Sequence, residues 1–265
     1  MKQKNYEELN FADDFMFCKV LTENPELCKE LLELILDKKV GEFVTIDKQK
    51  PIEIKADGKG IRFDVYVEDD QMVVYDIEMQ TTSNRNLPKR MRYYQGMMDL
   101  NLIQRGKDYS ILKKSYIIFI CPFDVMRMGL HKYTFKSICM EDNSLILDDD
   151  THKILLCADG NKNDVSEGMK DFLDYVNGKC PTTVFTKKLQ DAVTNAKECK
   201  EWRTEYMTLL MRDNEMMNTG RKNEIFSCVQ DGLFSPEIGA KRLNLSISEF
   251  EKEMEEAGYK IPTNV

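Results

Sequence analysis

IRFDVYVEDDQMVVYDIEMQ, residues 61–80, alternates apolar and polar side chains with the period of a half-buried strand. Ile61, Phe63, Val65 and Val67 share one face of the first segment, and Arg62, Asp64, Tyr66 and Glu68 share the other. In the second segment Val73, Tyr75, Ile77 and Met79 lie together, opposite Val74, Asp76, Glu78 and Gln80. A three-residue loop at 69–71 makes the pair a hairpin and keeps apolar partners together, with Val65 opposite Tyr75, Phe63 opposite Ile77 and Ile61 opposite Met79. A two-residue loop would mix the faces, which is costly in a half-buried sheet. The preferred register sets Asp64 opposite Asp76, with Glu78 as its diagonal neighbour. Diagonal neighbours lie roughly 7–8 Å apart or somewhat less, a gap that two carboxylates can close around one metal ion.

The segments on either side fix the fold class. Residues 87–106 have the helical pattern, opened by Pro88 and closed by Gly106. Leu87, Met91, Tyr94, Met98 and Leu102 form its apolar stripe, and Lys89, Arg90 and Arg92 cluster near its start. SYIIFIC, residues 115–121, is a near-continuous apolar run, as expected of a central strand covered on both sides. Upstream, residues 10–38 predict two helices, the second with Asn24 as N-cap and Pro25 at its first position. EFVTID and PIEIKA then predict strands, and residues 57–60 a turn. Two more short strands are expected within 132–158.

From about residue 164 the chain has helical periodicity. Val165, Met169, Phe172 and Val176 mark one helix, and a longer one runs from about 182 through Phe185, Leu189, Val193, Ala196, Trp202, Tyr206 and Leu210. Met207, Met211, Met216 and Met217 are expected to pack rather than to hold a cofactor. The tail resembles a helix-turn-helix with Ile238, Leu243, Leu245, Ile247, Phe250 and Met254 as its core. Its second helix is rich in Glu, which DNA repels. These elements predict an α/β core with a mixed sheet over 1–160, a helical extension over 161–219 and a small helical tail over 220–265.

Composition removes several chemistries. The chain has 265 residues, 42% hydrophobic and 32% charged, which suits a globular fold and not a disordered one. Its eight cysteines include no C-x-x-C pair, and His131 and His152 form no H-E-x-x-H or H-x-x-x-H spacing. Free buried thiols are expected, and a histidine-built zinc site is not. There is no P-loop, no G-x-G-x-x-G turn and no G-x-S-x-G elbow. No apolar run approaches the ~18 residues that span a bilayer, and MKQKNYEELNFADD lacks the apolar core of a signal peptide. A cytoplasmic protein without a membrane partner is the expectation. The net charge of −8 disfavours passive coating of nucleic acid while leaving room for local basic patches.

Carboxylate chemistry remains. Phosphodiester hydrolysis needs a divalent cation that binds a phosphate oxygen and acidifies a water, and Mg2+ favours one or two carboxylates plus waters. Asp64, Glu78 and Gln80 on one face supply two ligands and a polar group to orient the water. The alternative is that this face is simply solvated. If the 115–121 strand is central and helices cover the sheet, inward-pointing acids would be expensive without a cation or partner.

RFDVYV and YDIEMQ, then KRMRYYQGMMD, Gly106, Tyr109 and SYIIFIC, in this order, resemble the Rpn-type recombination-promoting nucleases, also described as PD-(D/E)XK nuclease family transposases. The resemblance is good over roughly residues 10–125 and looser in the tail from Gly220. It implies a restriction-endonuclease-like core and a Mg2+-dependent DNA endonuclease, with Mn2+ able to substitute. It assigns Asp64 and Glu78 to the motif's acids and metal ligands, and Gln80 to the position of its Lys. Gln80 agrees with this branch but is neutral, so it lacks the charge a Lys brings to the transition state. Asp14 matches an N-terminal acidic position and is either a helix cap or a site residue. Arg90 and Tyr94 match R-x-x-x-Y. Either they are a salt-bridged and a core residue, or Arg90 meets a DNA phosphate with its guanidinium fork. Restriction-like cores usually cut as dimers, and the Phe185–Leu210 stripe offers a surface for a homodimer. The rival from another class is a catalytically weak DNA- or protein-binding scaffold on the same fold.

Overall fold

Local chemistry sets the element boundaries in the computed structural model, which describes residues 4–52, 61–83, 86–103 and 106–261. Helix α1 (Asp14–Glu23) is followed directly by α2 (Pro25–Leu36), with Pro25 at the first helical position where a missing N–H costs nothing. Asn24 between them turns back, its Nδ2 donating to the Val20 carbonyl at 2.7 Å. Strands β1 (Phe43–Ile52), β2 (Ile61–Asp69) and β3 (Val74–Met79) precede α3 (Leu87–Leu102). Strands β4 (Ser115–Cys121), β5 (Lys132–Phe135) and β6 (Thr151–Cys157) follow, then α4 (Glu167–Val176) and α5 (Val184–Glu198). The strand expected in PIEIKA beyond residue 52 and the turn at 57–60 lie outside the described residues.

The strands form one six-stranded mixed sheet in the order β1-β2-β3-β4-β6-β5. β1, β2 and β3 are antiparallel neighbours, β4 runs parallel to both β3 and β6, and β5 is antiparallel to β6. All seven residues of β4 are buried, as its unbroken apolar run requires.

The hairpin register differs from the sequence expectation by two residues. Val65 pairs with Ile77, Val67 with Tyr75, and Tyr66, not Asp64, with Asp76. The cause is Asp69, which ends β2 and organises a four-residue loop over 70–73. Its Oδ1 accepts from the Gln71 and Val73 amides at 3.0 and 2.9 Å, and its Oδ2 accepts from the Tyr75 hydroxyl at 3.0 Å. Met72 takes a left-handed conformation to close the loop. A shift of two keeps every side chain on its face, so the alternation alone did not distinguish the registers.

Helices cover both faces of the sheet. On one, α1, α2, α4 and α5 pack over Val65, Val67, Tyr75, Ile77, Ile118 and Leu156. On the other, α3 packs Leu87, Met91, Tyr94 and Met98 over Tyr66, Val74, Ile117 and Phe119. Ile61 and Phe63 join this second layer instead of Val65's face. The ladder with β3 ends at Val65, and upstream of it β2 is paired only to β1 and can turn Phe63 toward Tyr94, ring centroids 5.4 Å apart.

The expected continuous helix from 182 is interrupted at Cys199, whose backbone is extended. Phe185, Leu189, Val193 and Ala196 are buried within the first compact unit, Met1–Cys199, so this half of the apolar stripe is already covered. The second unit, Lys200–Val265, contains α6 (Lys200–Gln230), α7 (Pro236–Leu243) and α8 (Ile247–Glu256). Its core is Ile225, Phe226, Val229, Ala240, Phe250 and Met254. Ile238 and Ile247, expected inside, are exposed, and so are Met207, Met211, Met216 and Met217. Gly239 explains the change: a Cβ there would collide with Phe250 and Val229, so α7 approaches by its small Gly239–Ala240 edge and leaves Ile238 outside.

Asp69→Ala should destabilise the chain by about 2–4 kcal/mol, since it strands several buried donors at once. A urea unfolding midpoint unchanged from the parent would refute this role for Asp69.

Candidate active site

β2 and β3 stop pairing at Val65 and Ile77, and two carboxylates bridge the gap that follows. The Asp64 amide donates to Glu78 Oε1 at 2.8 Å, and the Met79 amide donates to Asp64 Oδ2 at 3.0 Å. Each side chain thus satisfies a backbone donor of the opposite strand, as a buried N–H requires. Asp64 and Glu78 are 7% and 1% exposed.

Helix α3 closes the site from its first turn. Arg90 Nη2 donates to Glu78 Oε2 and to the Tyr94 hydroxyl, both at 2.6 Å, and Arg90 Nη1 donates to Gln80 Oε1 at 2.5 Å. The guanidinium lies over the rings of Tyr94 and Phe119, 4.8 and 5.1 Å from their centroids. Gln80 is buried, and its Nε2 donates to the Thr82 carbonyl at 2.5 Å.

Helix α1 supplies the third side. Asp14, Cys18 and Asp64 each present a ligand atom within 4.8 Å of the others. Asp14 is the first residue of α1 and Asp13 its N-cap, so Asp14 is not the cap. Arg62 Nη2 stands 3.4 Å from Asp14 Oδ2. A cavity of about 760 Å³ opens beside these groups, walled by Asp14, Asp64, Gln80, Arg90 and Tyr94 and rimmed by Arg62, Lys89 and Tyr93. Glu78 lies behind this wall.

The structure therefore brings together Asp14, Asp64, Glu78, Gln80, Arg90 and Tyr94. Sequence reasoning passed over Cys18, although its i, i+4 spacing from Asp14 places both on one helix face. It also named Asp76 only as a register partner. Asp76 is fully buried against the carboxyl group of Glu78, to which it can donate a hydrogen bond only when protonated. The histidines serve elsewhere: His131 Nδ1 is 2.7 Å from Asp164 Oδ1, and His152 stacks on Tyr116. All eight cysteines are free.

A mixed sheet sandwiched by helices, with paired acids where β2 and β3 diverge, defines a restriction-endonuclease-like nuclease core. A family model described as PD-(D/E)XK nuclease family transposase matches residues 11–155, and the chain belongs to that family. No curated protein and no solved structure matches it. Among the described residues, no helix is long and apolar enough to cross a membrane.

The family implies a divalent cation, and the donor set fits one. Burial raises the pKa of Asp64, and the charges of Glu78 and Asp14 raise it further. Burial also raises that of Glu78, against the opposing pull of the Asp64 amide and Arg90. Asp76 is pushed well up by burial and by Glu78 and Asp64. Asp14, Asp64, Asp76 and Glu78 outnumber the two arginines beside them, Arg62 and Arg90, and a cation relieves the excess. Asp14 and Asp64 offer carboxylate oxygens within 4.8 Å of each other and of the Cys18 thiol, and such oxygens suit a hard divalent cation; Glu78 stands behind them, bonded to the Asp64 amide and Arg90.

The pH dependence follows from these directions. Acids with raised folded-state pKa values take up protons on folding, so their contribution is fully present below the ordinary carboxylate range and is lost as pH rises through the raised values. The metal-free chain should lose thermal stability from pH 6 to pH 9, and the gain in melting temperature on adding Mg2+ should be larger at pH 9. A Mg2+ shift that shrinks with rising pH would contradict the cluster's electrostatics.

Proposed function

We propose that the chain is a Mg2+-dependent DNA endonuclease, with Mn2+ able to replace Mg2+, that serves recombination or a transposon-like element. The observation that carries this is the convergence of Asp64, Glu78, Gln80 and Arg90 on one buried cluster at the wall of an open cavity.

In this reading Asp64 and Glu78 hold the ion, with Asp14 beside Asp64. When bound, the ion binds a phosphate oxygen and lowers the pKa of a water. The protein's own groups do the rest. Gln80 orients the attacking water by hydrogen bonding and does not deprotonate it, because an amide has no useful pKa. Arg62 and Lys89 at the rim are placed to meet flanking phosphates, a sequence-independent attraction that salt screens. One such site cuts one strand, so a homodimer is the form proposed to cut both.

Plasmid cleavage tests this. Activity should require Mg2+ or Mn2+ and stop with EDTA. Asp64→Ala and Glu78→Ala should abolish it, and Gln80→Ala should slow it by about 10²–10³, the loss typical of one transition-state hydrogen bond. If Asp64→Ala cleaves like the parent in a preparation free of contaminating nucleases, the enzyme reading fails and a binding scaffold takes its place.

A further inference from the structure

We propose that Arg90 supplies the fixed positive charge of the reaction, donating from its free N–H groups to the scissile phosphate while Gln80 orients the water. This rests on the nuclease reading above and assigns the charge that residue 80, as an amide, lacks.

Three observations support it. The first is donor supply. A guanidinium has five N–H groups. Arg90 spends two on Nη2, to Glu78 and Tyr94, and one on Nη1, to Gln80. The other Nη1 hydrogen and the Nε hydrogen make no contact among the described residues, and the side chain stays 33% exposed at the cavity wall.

The second is rigidity. The plane is packed against Tyr94 and Phe119 and held at its Nη atoms by three hydrogen bonds. A donor fixed before the reaction needs no reorganisation as charge develops, which is where electrostatic catalysis gains most. Its Nη1 touches the very amide that orients the water.

The third is position on the helix. The first turn of α3 carries no acidic residue, and Lys89, Arg90 and Arg92 sit near its start. Cations at a helix N-terminus oppose the macrodipole. Both the helix end and its basic residues direct positive potential at the cavity, a cost to α3 that an anionic ligand would repay.

The chemistry balances without altering Arg90. The water oxygen bonds to phosphorus, the bond from phosphorus to the leaving sugar oxygen breaks, one proton passes from the water to solvent, and the leaving oxygen takes one up. Arg90 stays protonated throughout, as its pKa demands.

The test combines plasmid cleavage in Mg2+ with Mn2+ binding followed by electron paramagnetic resonance, and circular dichroism checks folding. Arg90→Ala should slow cleavage by about 10²–10³ while binding Mn2+ at least as tightly as the parent, because a competing cation has left Glu78. Arg90→Lys, which keeps charge but loses the fork, should stay within about tenfold of the parent. Arg90→Ala with Gln80→Lys should regain at least about tenfold over Arg90→Ala alone, since charge returns to the same place. Arg90→Ala cleaving like the parent, losing Mn2+ binding along with activity, or gaining nothing from Gln80→Lys would each overturn the proposal and leave Arg90 as packing. If Arg90→Ala does not fold, Arg90→Lys decides: folded but as inactive as Asp64→Ala, it overturns the proposal. A parent that never cleaves refutes the nuclease reading and this inference with it, whereas a cleaving parent with an indifferent Arg90→Ala refutes the inference alone.

Discussion

The exchange between Asp64 and Glu78 is the constraint around which the site is built. Where β2 and β3 diverge, each carboxylate satisfies a backbone amide of the opposite strand. That exchange buries two acids, and Asp76 adds a third, fully buried against Glu78. Low polarity around them raises their pKa values and makes a positive neighbour necessary. Arg90 partly fills that need, and it stands where it does because α3 packs Met91 and Tyr94 into the layer beneath the sheet.

Topology makes the meeting unavoidable. β3 and β4 are parallel, so the chain must leave β3 at its carboxyl end and return along the sheet before β4 begins. α3 is that return. Its first turn therefore starts a few residues beyond Gln80, and Arg90 reaches back to the strand end the chain has just left. The opening beside the carboxyl end of β3 is the kind of place where α/β sheets bind ligands, since loops there separate and expose backbone ends.

Most of the sheet was legible in the sequence because its signals are local. The alternation in 61–67 and 73–79 and the unbroken apolar run of 115–121 each identify a strand, and the stripe from Leu87 to Met98 a helix and its buried face, but alternation predicts one buried face where β3 is buried on both. The register was not legible, because it depends on Asp69 folding its own loop, and a slip of two leaves the alternation intact. The placing of Ile61 and Phe63 beside Tyr94 depends on where the ladder with β3 ends, which no periodicity reports. In the second unit, counting apolar residues placed Ile238 and Ile247 inside, whereas the close approach at Gly239 puts them outside. Around the site, Asp64, Glu78 and Gln80 stood out by spacing. Cys18 did not, because its relation to Asp64 exists only once α1 lies against the sheet.

Apart from Asp14, the groups lining the cavity come from one stretch of sequence, residues 61 to 94, comprising a strand, its partner and the first half of the helix that follows. Such a site is nearly contiguous along the chain. All of these side chains belong to the first compact unit, Met1–Cys199. The cavity is therefore positioned mostly by short connections along the chain, with only Asp14 brought in from a distant element.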